Sequence, residues 1–247
     1  MAEVEEIFEG VEEAIDGAEE GIEELPEEIQ EEVAEEIAEA RAEVAEFSRV
    51  AEGLRTFLDF VTTSIPEIAG FVMKNVAIGA ILWGVNVALN KLLPHHTAEP
   101  DVKKKRDAIK ALSTVIKTES TLSDKVLAWM KEHKDDKIVL DGFEVPLESI
   151  IAKYITPISK AVDDAFKVAQ ALQEKLDGKT QYNIPTGEDM KLLLTAGDAF
   201  LKGFNDLIDF ISKNVGKFEV LATFPVKQAD LVVFTSQLND AKNLPLW

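Results

Sequence analysis

The chain of 247 residues contains no cysteine. This absence excludes disulfide frameworks, thiolate nucleophiles, cysteine-ligated zinc and iron–sulfur clusters. Histidine is almost as scarce, with His95 and His96 adjacent to each other and His133 distant in sequence. Adjacent histidines rarely hold one ion with good geometry. We therefore predict no metal site, no cofactor and no catalytic residues.

Basic residues are nearly missing from the start of the chain. Residues 1–46 hold 20 acidic side chains and a single basic one, Arg41, so they carry almost all of the net charge of −20. A secretory signal would place Lys or Arg before an apolar run, so no signal peptide is expected. The location stays unknown, and cytoplasm and nucleus are both compatible with the sequence. Phosphate would repel so acidic a chain, and we expect no nucleic acid as a partner.

The acidic segment has apolar residues every three or four positions, which is the spacing of one helix face. This stripe runs from Val4 to Leu25, is interrupted at Pro26, and resumes from Ile29 to Ile65 in a near-heptad pattern. The polar face carries Glu at four-residue spacing, which weakens an isolated helix. Residues 1–63 are predicted to form an acidic amphipathic helical arm, packed either as a coiled coil or, as is commoner, along a bundle core.

Residues 64–93 are the most apolar part of the chain and are predicted to form a central helix. Ser64 is the expected cap, with Pro66 in the first turn, where its missing N–H does no harm. Sixteen uncharged residues separate Lys74 from Lys91, and they would make about 24 Å of helix against a hydrocarbon core of about 30 Å. A buried core helix is favoured over a membrane-inserting segment, and a permanent span is the least favoured alternative.

Small residues recur along this central helix and form a ridge that another helix could approach closely. They define a candidate site for helix packing or membrane contact. Its residues are Gly70, Gly79, Ala80, Trp83, Gly84 and Ala88.

One basic cluster, Lys103, Lys104, Lys105 and Arg106, follows the central helix. Such a cluster is compatible with nuclear import or with contact to anionic lipid. A solvated helix start or a partner for the acidic arm is the favoured interpretation.

Residues 94–247 are predicted to form a mixed, mainly helical body. Helical patterns cover 102–118 and 121–134, with another beyond Pro157 and one from Thr186 to Gly216. Asp141-Gly142 between short apolar runs predicts a tight hairpin. Residues 218–224 alternate like a strand, whereas 231–234 fit a strand or a helix. The fold class is thus a mainly α multi-helix bundle with a small β-hairpin or minor sheet.

These features favour a non-enzymatic structural protein that assembles with itself through helix packing, as in particles, coats or inclusions. The alternative is an α-helical membrane-perturbing or pore-forming protein that inserts residues 66–93. An enzyme whose site uses only Asp, Glu or Lys is a third class. The expected partners are other copies of this chain and, for the alternative, a membrane.

Overall fold

The computed structural model describes residues 2–20, 22, 27–55, 66–92, 100–177 and 185–245. These residues form seven α-helices and one two-stranded ribbon, which confirms the predicted mainly α bundle with a small hairpin. In chain order the elements are α1 (Ala2–Glu20), α2 (Glu27–Arg55), α3 (Pro66–Leu92), α4 (Pro100–Glu132), β1 (Lys137–Leu140), β2 (Phe143–Pro146), α5 (Leu147–Asp177), α6 (Gly187–Asn214), a short 3-10 helix (Glu219–Thr223) and α7 (Gln228–Asn243).

The acidic arm consists of α1 and α2, which pack against each other and against α3. Their apolar stripes are buried in the hydrophobic core, with Ile15, Ile37, Val44 and Phe47 almost inaccessible to solvent. The arm therefore lies along a bundle core, as the commoner of the two predicted arrangements requires. Pro26 and residues 56–65, which include the predicted Ser64 cap, lie outside the described residues.

Helix α3 is the axis of the bundle. It packs against α1, α2, α4 and α5, and the ring of Phe71 stacks on Phe200 of α6 with centroids 6.1 Å apart. One continuous hydrophobic core extends from Ile7 to Ala241. The remaining helix, α7, closes this core against α4 and α6.

Helix α4 is a single helix from Pro100 to Glu132, so the prediction of two helices meeting near residue 120 is wrong. The polar residues there stay helical because their hydroxyls bond back to the carbonyl four residues earlier. Thr118 Oγ1 donates to Thr114 O, and Ser120 Oγ donates to Ile116 O at 2.9 Å. Residue 121, where the second of these helices was predicted to begin, lies inside α4.

The hairpin prediction is confirmed. Asp141 and Gly142 have φ of 51° and 84°, the positive values that a type I′ turn requires. The register places Leu140 opposite Phe143 and Ile138 opposite Val145. Ile138 is buried, whereas Phe143 at the turn is 74% exposed.

The helix predicted to begin beyond Pro157 starts earlier, at Leu147, and Pro157 lies inside it. Packing of α5 against α3 and α6 holds this proline in a helix interior that it would otherwise disfavour. The predicted start of α6 at Thr186 is confirmed. Thr186 Oγ1 accepts from the backbone N–H of Asp189, and the Asp189 carboxylate accepts from the backbone N–H of Thr186.

The strand suggested by alternation in residues 218–224 is wrong, because Glu219–Thr223 forms a 3-10 helix. A strand needs a neighbour to satisfy its backbone, and in the described part of the chain β1 pairs only with β2. Two side chains of this segment, Leu221 and Phe224, are buried in the core. Residues 231–234 belong to α7 and are helical.

Candidate functional site: the central helix and a buried carboxyl

Helix α3 is enclosed by the rest of the protein. In the segment Gly70–Val87, 83% of the residues are buried. The same segment is the one stretch of the described chain long and apolar enough to cross a membrane, a property that core helices of soluble proteins share. The structure thus places an all-round apolar helix at the centre of a bundle of amphipathic helices.

The candidate residues on α3 lie inside this bundle. Gly79, Ala80, Trp83 and Gly84 are buried, and Gly70 is half-buried. Ala88 belongs to the same helix, but its side chain is outside the described part. Gly79 meets the arm directly, because a Cβ built on it would lie 2.3 Å from Cζ of Phe47.

Three buried polar residues interrupt the apolar surface of α3: Asn75, Trp83 and Asn86. The indole N–H of Trp83 and both polar atoms of the Asn86 side chain have no hydrogen-bond partner among the described residues. Asn75 does have a partner, because its Nδ2 donates to Oε2 of Glu119 at 3.1 Å. The polar link between α3 and α4 is therefore made at Asn75.

Glu119 lies in the middle of α4 and is fully buried. Burial raises the pKa of its carboxyl from 4.5 to about 8, and the hydrogen bond from Asn75 acts in the opposite direction. The other carboxyl oxygen, Oε1, faces Gly197 of α6, since a Cβ built on Gly197 would lie 3.4 Å from it. At neutral pH this side chain is therefore mainly a neutral carboxylic acid.

Glu119 is not among the residues predicted from the sequence, although its position carries a signal. Glu119 falls between the two predicted helices, 102–118 and 121–134. Read as one helix, the buried positions Val115, Ile116, Leu122 and Val126 put Glu119 on the same face. A carboxyl on the apolar face of a continuous helix is the feature that would have identified it.

The acidic arm is attached to α4 by ion pairs. Lys110 Nζ lies 2.5 Å from Oε2 of Glu39, and Lys117 Nζ lies 2.9 Å from Glu43 and 2.8 Å from Glu46. Partial burial lowers the pKa of Lys117, but the hydrogen bonds and charges of Glu43 and Glu46 outweigh it and raise the pKa above 10.5. Lys110 and Lys117 are thus basic partners of the arm, and neither belongs to the basic cluster predicted from the sequence.

The predicted basic cluster is not one uniform exposed patch. Lys103 and Lys104 are exposed in the first turns of α4, and Lys105 is half-buried. Arg106 is only 7% exposed, with Nε 3.9 Å from Oδ1 of Asp107. Arg106 is therefore buried, whereas the other three residues of the cluster are exposed or half-buried.

A second polar group joins the end of α4 to the 3-10 helix. Asp136 Oδ2 lies 2.7 Å from His133 Nδ1, and His133 Nε2 lies 3.4 Å from Thr223 Oγ1. This is the order of a carboxylate–imidazole–hydroxyl triad. The Thr223 hydroxyl, however, donates to Val220 O and accepts from Trp129 Nε1, each at 2.8 Å. Because its proton is engaged elsewhere, the group fits a structural contact and not an activated nucleophile.

Metal ligands do not cluster in the described ranges, where no three His, Asp or Glu side chains are grouped to hold an ion. His95 and His96 lie outside those ranges. The features that stand out are thus the enclosed helix α3, its contact with Glu119 and the ion-paired arm. Comparison of the chain with protein-family models, curated proteins and solved structures gave no match.

Proposed function

We propose that the protein perturbs membranes by releasing α3 from the bundle and inserting it into the bilayer. The observation that carries this proposal is the placement of an all-round apolar helix, α3, inside a layer of amphipathic helices, α1, α2, α4 and α5. A helix of that composition is stable either in a protein core or in lipid. Separation of the surrounding helices would leave lipid as the remaining apolar environment for α3.

The length of α3 fits this role. Its uncharged stretch is shorter than a hydrocarbon core, but Lys74 and Lys91 lie at its two ends. Lysine side chains extend their ammonium groups toward the interface while their methylene stems stay in the apolar layer. From Gly70 to Leu92 the helix is about 34 Å long, compared with about 30 Å of hydrocarbon.

The polar atoms of α3 also favour release followed by association. The side chains of Trp83 and Asn86 make no hydrogen bonds with described residues, so no such bond has to break at these two positions when α3 leaves the bundle. In lipid, Asn86 would gain most from another amide, and the nearby small residues Ala80 and Gly84 allow two helices to approach closely. We therefore expect inserted copies to pair through this face.

The arm is the cover expected to move. It is joined to α4 by Lys110 and Lys117, whose ion pairs with the arm are partly exposed and therefore sensitive to salt. Its stripe covers α3, with Phe47 against Gly79. Moving α1 and α2 away would expose the surface of α3 that both helices now cover.

The test combines dye leakage from lipid vesicles with cysteine labelling, which the absence of native cysteine makes site-specific. Ala80→Cys reports on the buried face of α3, and Ala128→Cys, the same change on the exposed face of α4, is the matched control. We expect vesicles to leak, and a dye at residue 80, but not one at residue 128, to be quenched by a quencher attached to the lipid chains, which the closed bundle would exclude. Intact vesicles together with full protection of Ala80→Cys, with anionic and with neutral lipid, would overturn the proposal.

Self-assembly is the second candidate, and exposed apolar side chains favour it. Because the stripes of α1 and α2 are buried within the chain, assembly would need another surface. Val232 and Val233 on α7 are 62% and 56% exposed, and Val139 and Phe143 of the hairpin are 54% and 74% exposed. Apolar side chains so exposed are typical of contact surfaces when they are contiguous.

The molar mass in solution tests this candidate. We expect the parent to form an oligomer that the pair Val232→Lys and Val233→Lys dissociates, with Thr156→Lys on the exposed face of α5 as control. A parent that stays monomeric at high concentration would rule out assembly through α7. The measurement is light scattering coupled to size-exclusion chromatography.

A further inference from the structure

The carboxyl of Glu119 is a junction of four helices. It projects from α4, accepts the hydrogen bond of Asn75 on α3, and faces Gly197 on α6. Leu238 of α7 reaches the same point, since its Cδ1 would lie 2.8 Å from a Cβ on Gly197. The side chain is 0% exposed, so water does not reach the carboxyl while these helices are together.

The neighbouring charges are engaged elsewhere. On α3, Lys74 pairs with Asp163 of α5 at 2.5 Å, and on α6 and α7, Asp198 pairs with Lys242.

On α4 and α2, Lys117 pairs with Glu43 and Glu46. The pKa of Glu119 is determined by its burial and by the neutral Asn75, and no cation of the described residues contributes to it. A buried carboxylate without a cation is strongly disfavoured, whereas a buried carboxylic acid with a hydrogen-bond donor is tolerated.

We propose that Asn75 and Glu119 form a proton-dependent latch, in which α3 and α4 close over Glu119 as a neutral acid and opening of the junction gives one proton to water. In the closed bundle the proton stays on the carboxyl. In the open form water and buffer reach the carboxyl, and at neutral pH it becomes a carboxylate. The closed form therefore binds one more proton than the open form.

The direction of the pH dependence follows from the bound proton. The closed-state pKa of Glu119 is about 8, raised from the value of 4.5 that an exposed carboxyl has. The contribution of Glu119 to the closed state is therefore complete below pH 4.5 and is lost as pH rises to about 8. Rising pH favours release of α3. The use of this release at a membrane rests on the proposed function, whereas the proton linkage itself does not.

The labelling rate of Ala80→Cys in solution, without vesicles, measures this opening. Dividing it by the rate of Ala128→Cys, which is exposed, removes the intrinsic pH dependence of the thiol. We expect the ratio to rise up to tenfold per pH unit between pH 5.5 and 7.5 and to level off above pH 8. In a Glu119→Gln background the ratio should be flat, whereas Glu132→Gln, an exposed change on the same helix, should behave as the parent.

Two results would overturn the latch: a flat ratio in the parent, or the same slope in Glu119→Gln as in the parent. If Glu119→Gln does not fold, infrared titration of the folded parent replaces it. A protonated carboxyl that persists at pH 7 and disappears near pH 8 would support the latch, and complete ionisation at pH 6 would overturn it.

Vesicles that stay intact although the solution ratio rises with pH would overturn the membrane proposal alone. Leakage without the slope would overturn the latch alone.

Discussion

The ring of Phe47 on α2 fills the space that a side chain at Gly79 on α3 would occupy. Built on the backbone of Gly79, a Cβ lies 2.3 Å from Cζ of Phe47 and 2.5 Å from Cε1. Real Cβ atoms do not approach so closely, so this ring lies against bare backbone. Phe47 is itself 2% exposed, and the surrounding core leaves it little room to move.

Gly79→Ala is expected to loosen this contact between the arm and the central helix. Displacing a packed ring costs about 1 to 3 kcal/mol of the free energy of unfolding. Gly70→Ala is the matched control, because nothing lies within 4 Å of a Cβ at Gly70. In Gly70→Ala the higher helix propensity of Ala should leave the free energy of unfolding unchanged or raise it by up to about 1 kcal/mol. Chemical denaturation measures both, and equal effects would contradict the packing argument.

Lys117→Gln is expected to weaken the attachment of the arm. The change removes the cation shared by Glu43 and Glu46 and leaves two like charges facing each other. A partly exposed pair of this kind contributes about 0.5 to 1 kcal/mol. Hydrogen exchange in α2 should become faster. Lys213→Gln, which breaks the exposed pair with Asp209 on α6, should leave exchange in α2 unchanged. If both variants matched the parent, the ion pairs would not hold the arm.

Asn75→Leu should shift the titration of Glu119 to higher pH. The hydrogen bond from Asn75 lowers the pKa of this carboxyl, so its removal raises the pKa above about 8. The pH-dependent loss of stability, which ends near the folded-state pKa, should then extend to more alkaline pH. Asn86→Leu is the control, since Asn86 has no side-chain partner in the described chain. Carboxyl NMR with labelled glutamate follows both variants, and an identical pKa in the two would refute the assigned hydrogen bond.

Pro157→Ala is expected to stabilise the protein. Pro157 is exposed inside α5 and cannot donate to the carbonyl of Lys153. Replacing proline by alanine in a helix interior raises the free energy of unfolding by about 3 kcal/mol. The more flexible unfolded chain reduces this gain by up to about 1 kcal/mol. A higher Tm should result, whereas Lys160→Ala on the exposed face should have little effect. A lower Tm would mean that the packing of α5 against α3 requires the distortion made by proline.

Helix α4 illustrates where prediction from the sequence failed. The run of polar residues around Ser120 has the composition of a break between two helices. A continuous helix in which the hydroxyls donate to carbonyls four residues earlier can have the same composition, so the sequence does not distinguish the two. Only the continuity of the helix places Glu119 in phase with Ile116 and Leu122. The same limit applies to residues 218–224, where alternation favoured a strand and the partner strand that it needs is missing from the described chain.

The sequence by itself determined that the fold is mainly helical, that the arm carries an apolar stripe, that α6 begins at Thr186 and where the hairpin turns. These properties are local, since helical periodicity, the capping box at Thr186 and the positive φ at Asp141 and Gly142 each depend on a few neighbouring residues. The tertiary structure alone decided what each face meets. The apolar stripe of α2 is as compatible with another copy of the chain as with α3. A glutamate carboxyl at residue 119 would have its usual pKa of 4.5 in water. It acquires a pKa of about 8 because α3, α6 and α7 close over it and exclude water.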